Sequence, residues 1–103
     1  MEKSTPHYEL AEVKAEVRRL GSKAFTMSAR EGGRRMTLSL AQMLRIVHLL
    51  EYRMLHKSMT TYADHRIWQD AYHTTFQDRE IYIKVTYRPG GGHPVISFKE
   101  KNQ

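Results

Sequence analysis

Two periodicities divide this chain. In its first half apolar residues recur every three or four positions: Leu10, Val13, Val17 and Leu20, then Leu40, Met43, Leu44, Val47 and Leu50, with Ile46 and Leu49 widening the second stripe. Such spacing gathers each set on one side of a helix. Thr5 followed by Pro6 reads as the start of the first helix and Gly21 as its stop. Its outer positions, Glu9, Glu12, Lys14, Glu16, Arg18 and Arg19, mix both signs and read as a solvated face. The wider stripe, beginning after Thr37, predicts the principal core helix, packed against a sheet, with Met43 and Met54 as adaptable core filling. Between the two, Ser28 is placed to cap a short helix that the Gly32-Gly33 pair would end, and Arg30, Arg34 and Arg35 read as a mobile, solvated basic loop.

After Asp64 the period drops to two. Ile67, Trp68 and Tyr72, then Ile81, Ile83, Val85 and Tyr87, then Val95, Ile96 and Phe98 predict three antiparallel strands. Helices first and a sheet second give an α+β fold, N-terminal helices packed on a C-terminal antiparallel sheet, in a single domain over 1–103. Arg88-Pro89-Gly90-Gly91-Gly92-His93 reads as a hairpin turn. It lacks the Lys-Ser or Lys-Thr and the following helix that a phosphate-cradling loop needs.

Alternation also predicts a register. Burying Ile83 against Phe98 and Val85 against Ile96 sends Tyr82, Lys84, Thr86 and Arg88 to the opposite face, with Ser97 and Lys99. Tyr82 then stands directly across from Lys99, with Cβ atoms roughly 4.5–5.5 Å apart. An ammonium beside a phenol favours negative charge on it and so assists proton transfer. Gln69 joins this face if the preceding strand sets Trp68, turned toward the core, near Ile83.

Composition narrows the classes. At 103 residues the chain suits one small core, which leaves any chemistry on an open face or in a shallow cleft suited to a long polymer. Seventeen Lys and Arg against eleven Asp and Glu give a net charge of +6, which favours polyanions such as nucleic acid. The absence of cysteine excludes disulfides and thiolate metal sites, and the start Met-Glu-Lys has no apolar leader. A soluble, cytoplasmic protein with no membrane association is expected. Six histidines are present, but neither an H-x-x-x-H pair nor H-E-x-x-H occurs, so no metal site and no cofactor are expected.

The run Lys57 to Tyr72, K-S-M-T-T-Y-A-D-H-R-I-W-Q-D-A-Y, concentrates a cation, hydroxyls, an imidazole, an amide and aromatics, an inventory that suits a phosphate and a base together. With M-E-K-S-T-P-H at the start and V-I-S-F-K-E-K near the end, it resembles the motility quorum-sensing regulator toxins of type II toxin–antitoxin systems. The resemblance implies a RelE-like toxin ribonuclease fold and an mRNA interferase, an endoribonuclease that needs no metal, favours GC-containing sites and inhibits translation and growth. It also implies a cognate antitoxin partner and a toxin–antitoxin complex that reaches operator DNA through the antitoxin. Carried over by position, the catalytic set is Lys57, Gln69, Tyr82 and Lys99, with His56, Met59, Tyr62 and His73 toward the single-stranded mRNA substrate. His56 and His73 stand where the family tends to carry Tyr and Arg. Lys57 is expected in a loop, Trp68 in the core, and His65 beside Asp64 or a backbone carbonyl. The rival expectations are a basic regulator that binds nucleic acid without cutting it, and a purely protein-binding module.

Overall fold

Three helices lie against one face of a five-stranded antiparallel sheet whose strands follow chain order, in a computed structural model that describes residues 1–101. The strands are β1 (Glu2–Lys3), β2 (Leu55–Thr60), β3 (Trp68–Phe76), β4 (Arg79–Tyr87) and β5 (Pro94–Glu100). The helices are α1 (Leu10–Leu20), α2 (Met27–Arg35) and α3 (Leu40–His48). One apolar cluster joins the layers: Val13 and Val17 from α1, Met43, Ile46 and Val47 from α3, and Ile81, Ile83, Val85, Ile96 and Phe98 from the sheet, all nearly inaccessible to solvent. Met54 packs against its margin, while Leu40 and Leu49, at the ends of the predicted stripe, stay exposed. Among the described residues no helix is long and apolar enough to cross a membrane.

Several local expectations are corrected. The first helix begins at Leu10, not after Pro6, because the amide groups of His7 and Tyr8 are taken by the Asp70 carboxylate (3.0 and 2.9 Å) instead of entering a helix. Thr26 caps α2, accepting from the Ala29 amide at 3.0 Å, and Ser28 lies inside the helix. Gly32 and Gly33 do not end α2 but sit within it, fully buried. A Cβ on Gly32 would collide with the Phe98 carbonyl, and one on Gly33 with the Met43 sulfur, so these glycines let α2 approach β5 and α3 closely. The α2 arginines are accordingly helical, not in a mobile loop: Arg30 donates to the Ser22 carbonyl at 2.7 Å, and Arg34 and Arg35 face Glu31. Ser39 and Gln42 form a reciprocal capping box at the start of α3.

The sheet has five strands where three were expected. In β2 the inward residue is Ser58, buried against Asp70 (Oγ to Oδ1, 2.6 Å), so this strand carries no apolar alternation to announce it. The β4–β5 pairing follows the predicted register, with Ile83 opposite Phe98, Val85 opposite Ile96 and Tyr82 opposite Lys99. The β3–β4 pairing does not follow the expected one: Ile83 is opposite Tyr72, not near Trp68. A two-residue turn decides this. Gln77 and Asp78 both adopt positive φ (51° and 65°), the geometry that joins adjacent strands tightly, and neither residue is a glycine that would have flagged it.

Candidate active site

The sheet face turned away from the helices is organised in rows across the strands. Pairings align Lys57, Ala71, Lys84 and Ser97 in one row, and Met59, Gln69, Thr86 and Val95 in a second. A third runs His73, Tyr82 and Lys99. His56 joins this last row through a bulge. The register shifts between Leu55 and Lys57, so His56 is an extra residue, and its ring stacks on His73 with centroids 4.3 Å apart and planes 14° from parallel. Bulges re-aim side chains in this way, and here two consecutive residues, His56 and Lys57, serve the same face.

Two lysines and a histidine surround Tyr82. The Lys99 and Lys84 ammonium groups lie 5.9 and 6.0 Å from its ring centre, and the His73 ring lies 4.8 Å away on the adjacent strand. A concavity of about 340 Å³ is bounded by His73, Tyr82, Lys84, Lys99 and Lys101. Among its lining side chains there is no carboxylate, so its field favours an anion such as a phosphodiester. Partial burial lowers the affinity of His73 for a proton, reinforced by His56 and Lys101 and opposed by Glu80.

A neighbouring concavity of about 400 Å³ is lined by Glu2, Lys3, Ser4, His56 and Lys57, and the His56–His73 stack stands between the two. Lys57 is on strand β2, not in a loop, and its ammonium meets the Glu2 carboxylate at 2.7 Å. Their hydrogen bond, then their opposite charges, hold Lys57 more firmly protonated and Glu2 more firmly ionised than usual. Glu2 reaches Lys57 because β1 pairs with β2, placing Glu2 opposite Met59.

The W-Q-D string is split by the strand period. Gln69 faces the cationic side beside Met59 and Thr86, four residues from His73 along β3, which at roughly 3.3 Å per residue is about 13 Å from the Tyr82 row. Trp68 and Asp70 serve the N-terminal segment instead. Asp70 accepts from the amides of His7 and Tyr8 and from Ser58, while the Trp68 ring, half-buried and not in the core, is covered by the His7 ring at 5.0 Å and by the Lys3 ammonium at 4.3 Å. Asp70 is the residue that reading the chain missed. Its only signal was its place between the tryptophan and two residues that alternate with it, in a strand whose partner offers Ser58.

The loop from Thr61 to Ile67 leaves Tyr62 fully exposed at the Met59–Gln69 end of the face, away from the Tyr82 row. It is closed by the Thr61 amide donating to the Ile67 carbonyl at 2.8 Å. Asp64 does not partner His65, which is exposed. Its carboxylate accepts from the Arg66 amide and guanidinium at 2.9–3.0 Å, which depresses its proton affinity.

Comparison with known proteins points to one family. Residues 5–100 match the family described as motility quorum-sensing regulator, toxin of MqsA. The chain is 39% identical over 103 residues to the mRNA interferase toxin MqsR of Escherichia coli (strain K12), an alignment covering 98% of this chain and 100% of that protein.

Proposed function

The chain belongs to the motility quorum-sensing regulator family of toxins, and on that premise we propose that it is the toxin of a type II toxin–antitoxin pair, an endoribonuclease acting on single-stranded mRNA. The observation that carries this reading is the Tyr82–Lys99 pair, in register on adjacent strands at the centre of a cation-lined hollow.

In RNA cleavage of this kind the ribose 2′-hydroxyl attacks the adjacent phosphorus and the 5′-oxygen departs, leaving a cyclic phosphate. The transition state gains negative charge and needs proton transfer at both oxygens. Lys57 and Lys99 supply the positive charge, and Tyr82 transfers a proton. Lys57 is released to the phosphate when the phosphate displaces Glu2. Gln69, about 13 Å away by strand rise, positions a neighbouring nucleotide and not the scissile one. Met59 and Tyr62 meet bases at that end, where an unstacked base can lie on the exposed phenol ring. His56 and His73 contact the substrate on the Tyr82 side.

In this proposal the reaction is routed through side chains alone, with no metal and no cofactor. We further read the fold as RelE-like, on the strength of helices lying against one face of an antiparallel sheet and chemistry on the other. Preference for GC-containing sites, a cytoplasmic location, a cognate antitoxin, and contact with operator DNA through that antitoxin complete the proposal. The test is expression in a bacterial host: growth arrest is expected, relieved by Lys57→Ala or Tyr82→Phe and by co-expression of the antitoxin. Purified protein should cut RNA fully in excess chelator. RNA binding with no cleavage would instead identify a non-catalytic regulator.

A further inference from the structure

The reaction needs two proton carriers, and the hollow holds one group besides Tyr82 suited to the task. We propose that His73 is the general base that removes the 2′-hydroxyl proton, with Tyr82 as the acid on the leaving oxygen. This rests on the nuclease reading above and adds a catalytic residue to it.

Geometry is the main support. His73 lies opposite Tyr82 on the neighbouring strand, their ring centres 4.8 Å apart, and both line the same hollow. A scissile phosphate drawn into this hollow by Lys99 would have its two reacting oxygens on opposite sides, one toward each ring. His73 is fixed by its face: His56 stacks on it nearly parallel, which leaves the ring nitrogens, at the ring edge, for substrate. An imidazole held by its face keeps one orientation without using the atoms that carry the proton.

Charge supports the assignment. His56 and Lys57 approach from β2, Tyr82, Lys84 and Glu80 from β4, and Lys99 and Lys101 from the last strand and the turn after it. Partial burial, with the His56 ring and the Lys101 ammonium beside it, outweighs Glu80 and pushes the proton affinity of His73 below its ordinary value of 6.5, which favours the neutral, proton-accepting ring near pH 7. The step balances. The 2′-oxygen gives its proton to His73 and bonds to phosphorus, and the bond from phosphorus to the 5′-oxygen breaks. The 5′-oxygen then takes the Tyr82 proton, giving a cyclic phosphate and a 5′-hydroxyl. The His73 imidazolium returns its proton to the Tyr82 phenolate, directly or through water.

The test is the pH dependence of kcat/KM for a single-site RNA. For the unaltered protein it should rise tenfold per pH unit up to an apparent pKa below 6.5 and then level off. His73→Gln should lose this acid limb and fall by about a hundred- to ten-thousandfold, the usual size of a general-base contribution. Its affinity for RNA blocked by a 2′-deoxy group at the scissile nucleotide should fall far less than its cleavage rate. Free imidazole should partly restore His73→Ala. Glu80→Gln should retain cleavage and move the limb to lower pH, since the carboxylate that raises the His73 proton affinity is gone. These two variants keep the proposal open to refutation even where His73→Gln folds poorly. Cleavage by His73→Gln with an unchanged limb, or an unmoved limb in Glu80→Gln, would overturn the role of His73 alone. An unaltered protein that binds RNA and never cuts it would overturn the nuclease reading first and this one with it.

Discussion

The two edges of the sheet are fastened by different forces. At the β4–β5 edge Ile81, Ile83, Val85, Ile96 and Phe98 are buried beneath the helices, and α2 comes down on β5 through two glycines. At the β1–β2 edge the fastening is polar: a buried carboxylate, Asp70, gathers two N-terminal amides and the Ser58 hydroxyl, and Trp68 is capped by His7 and Lys3. Apolar contacts tolerate small shifts, whereas a buried carboxylate fixes its hydrogen-bond donors by direction, and a buried donor left without its acceptor costs about 1–3 kcal/mol. The proposed site lies across both edges, with Tyr82 and Lys99 on the apolar one and Lys57 on the polar one. The lesson is that Lys57 is positioned at a distance, by the residues that hold the strap bearing Glu2.

Breaking the apolar edge's chemistry gives the largest expected effect. Tyr82→Phe or Lys99→Ala should cut RNA cleavage by about 10²–10⁴ while leaving the urea midpoint nearly unchanged, because both side chains lie on the solvent face. Next comes the polar edge. Asp70→Ala strands the His7 and Tyr8 amides and the Ser58 hydroxyl and should cost about 3 kcal/mol in equilibrium unfolding by urea. It should also expose residues 1–8 to limited proteolysis before the rest of the domain opens. Gly32→Ala is the matching test of the other edge: it should destabilise α2 against β5 while leaving the strap protected.

Smaller effects sharpen the contrast. Tyr62→Ala should weaken single-stranded RNA binding by about 1–3 kcal/mol if a base stacks on it, with no change in fold, because its ring contributes nothing to the core. Glu2→Gln should tighten RNA binding modestly at low salt, read by titration, because the phosphate no longer has to displace a carboxylate from Lys57. Acid should loosen the strap slightly. Burial, aided by Lys3 and opposed by Asp70, lowers the proton affinity of His7 below 6.5 in the folded state, so the unfolded chain takes up the proton first. The contribution is therefore fully present above pH 6.5 and lost as pH falls below it, read as faster proteolysis of residues 1–8 at pH 5.5 than at pH 7.5.

The apolar edge was legible in the chain and the polar edge was not. Strict alternation from Ile81 to Phe98 determines which residues face inward, and the Tyr82–Lys99 juxtaposition follows from that alone. Strand β2 hides because its inward position is a serine, β1 because two residues cannot show a period, and the β3 register because it is set by two non-glycine residues at positive φ. Thr5-Pro6 misled for a related reason: the amides that would have opened a helix are claimed by a carboxylate more than sixty residues away in sequence. Of the site, Gln69 was assigned the correct face but the wrong place along the strand, and the bulge that brings His56 beside Lys57 left no trace in the pattern.

The central claim is that Tyr82, opposite Lys99, transfers a proton during RNA cleavage. It is tested most directly by mapping the ends of RNA fragments made by the purified protein in excess chelator, beside the same reaction with Tyr82→Phe. The account predicts 2′,3′-cyclic phosphate and 5′-hydroxyl ends from the unaltered protein, and intact RNA, still bound, from the variant. Fragments with 5′-phosphate ends, or undiminished cleavage by Tyr82→Phe, would contradict it.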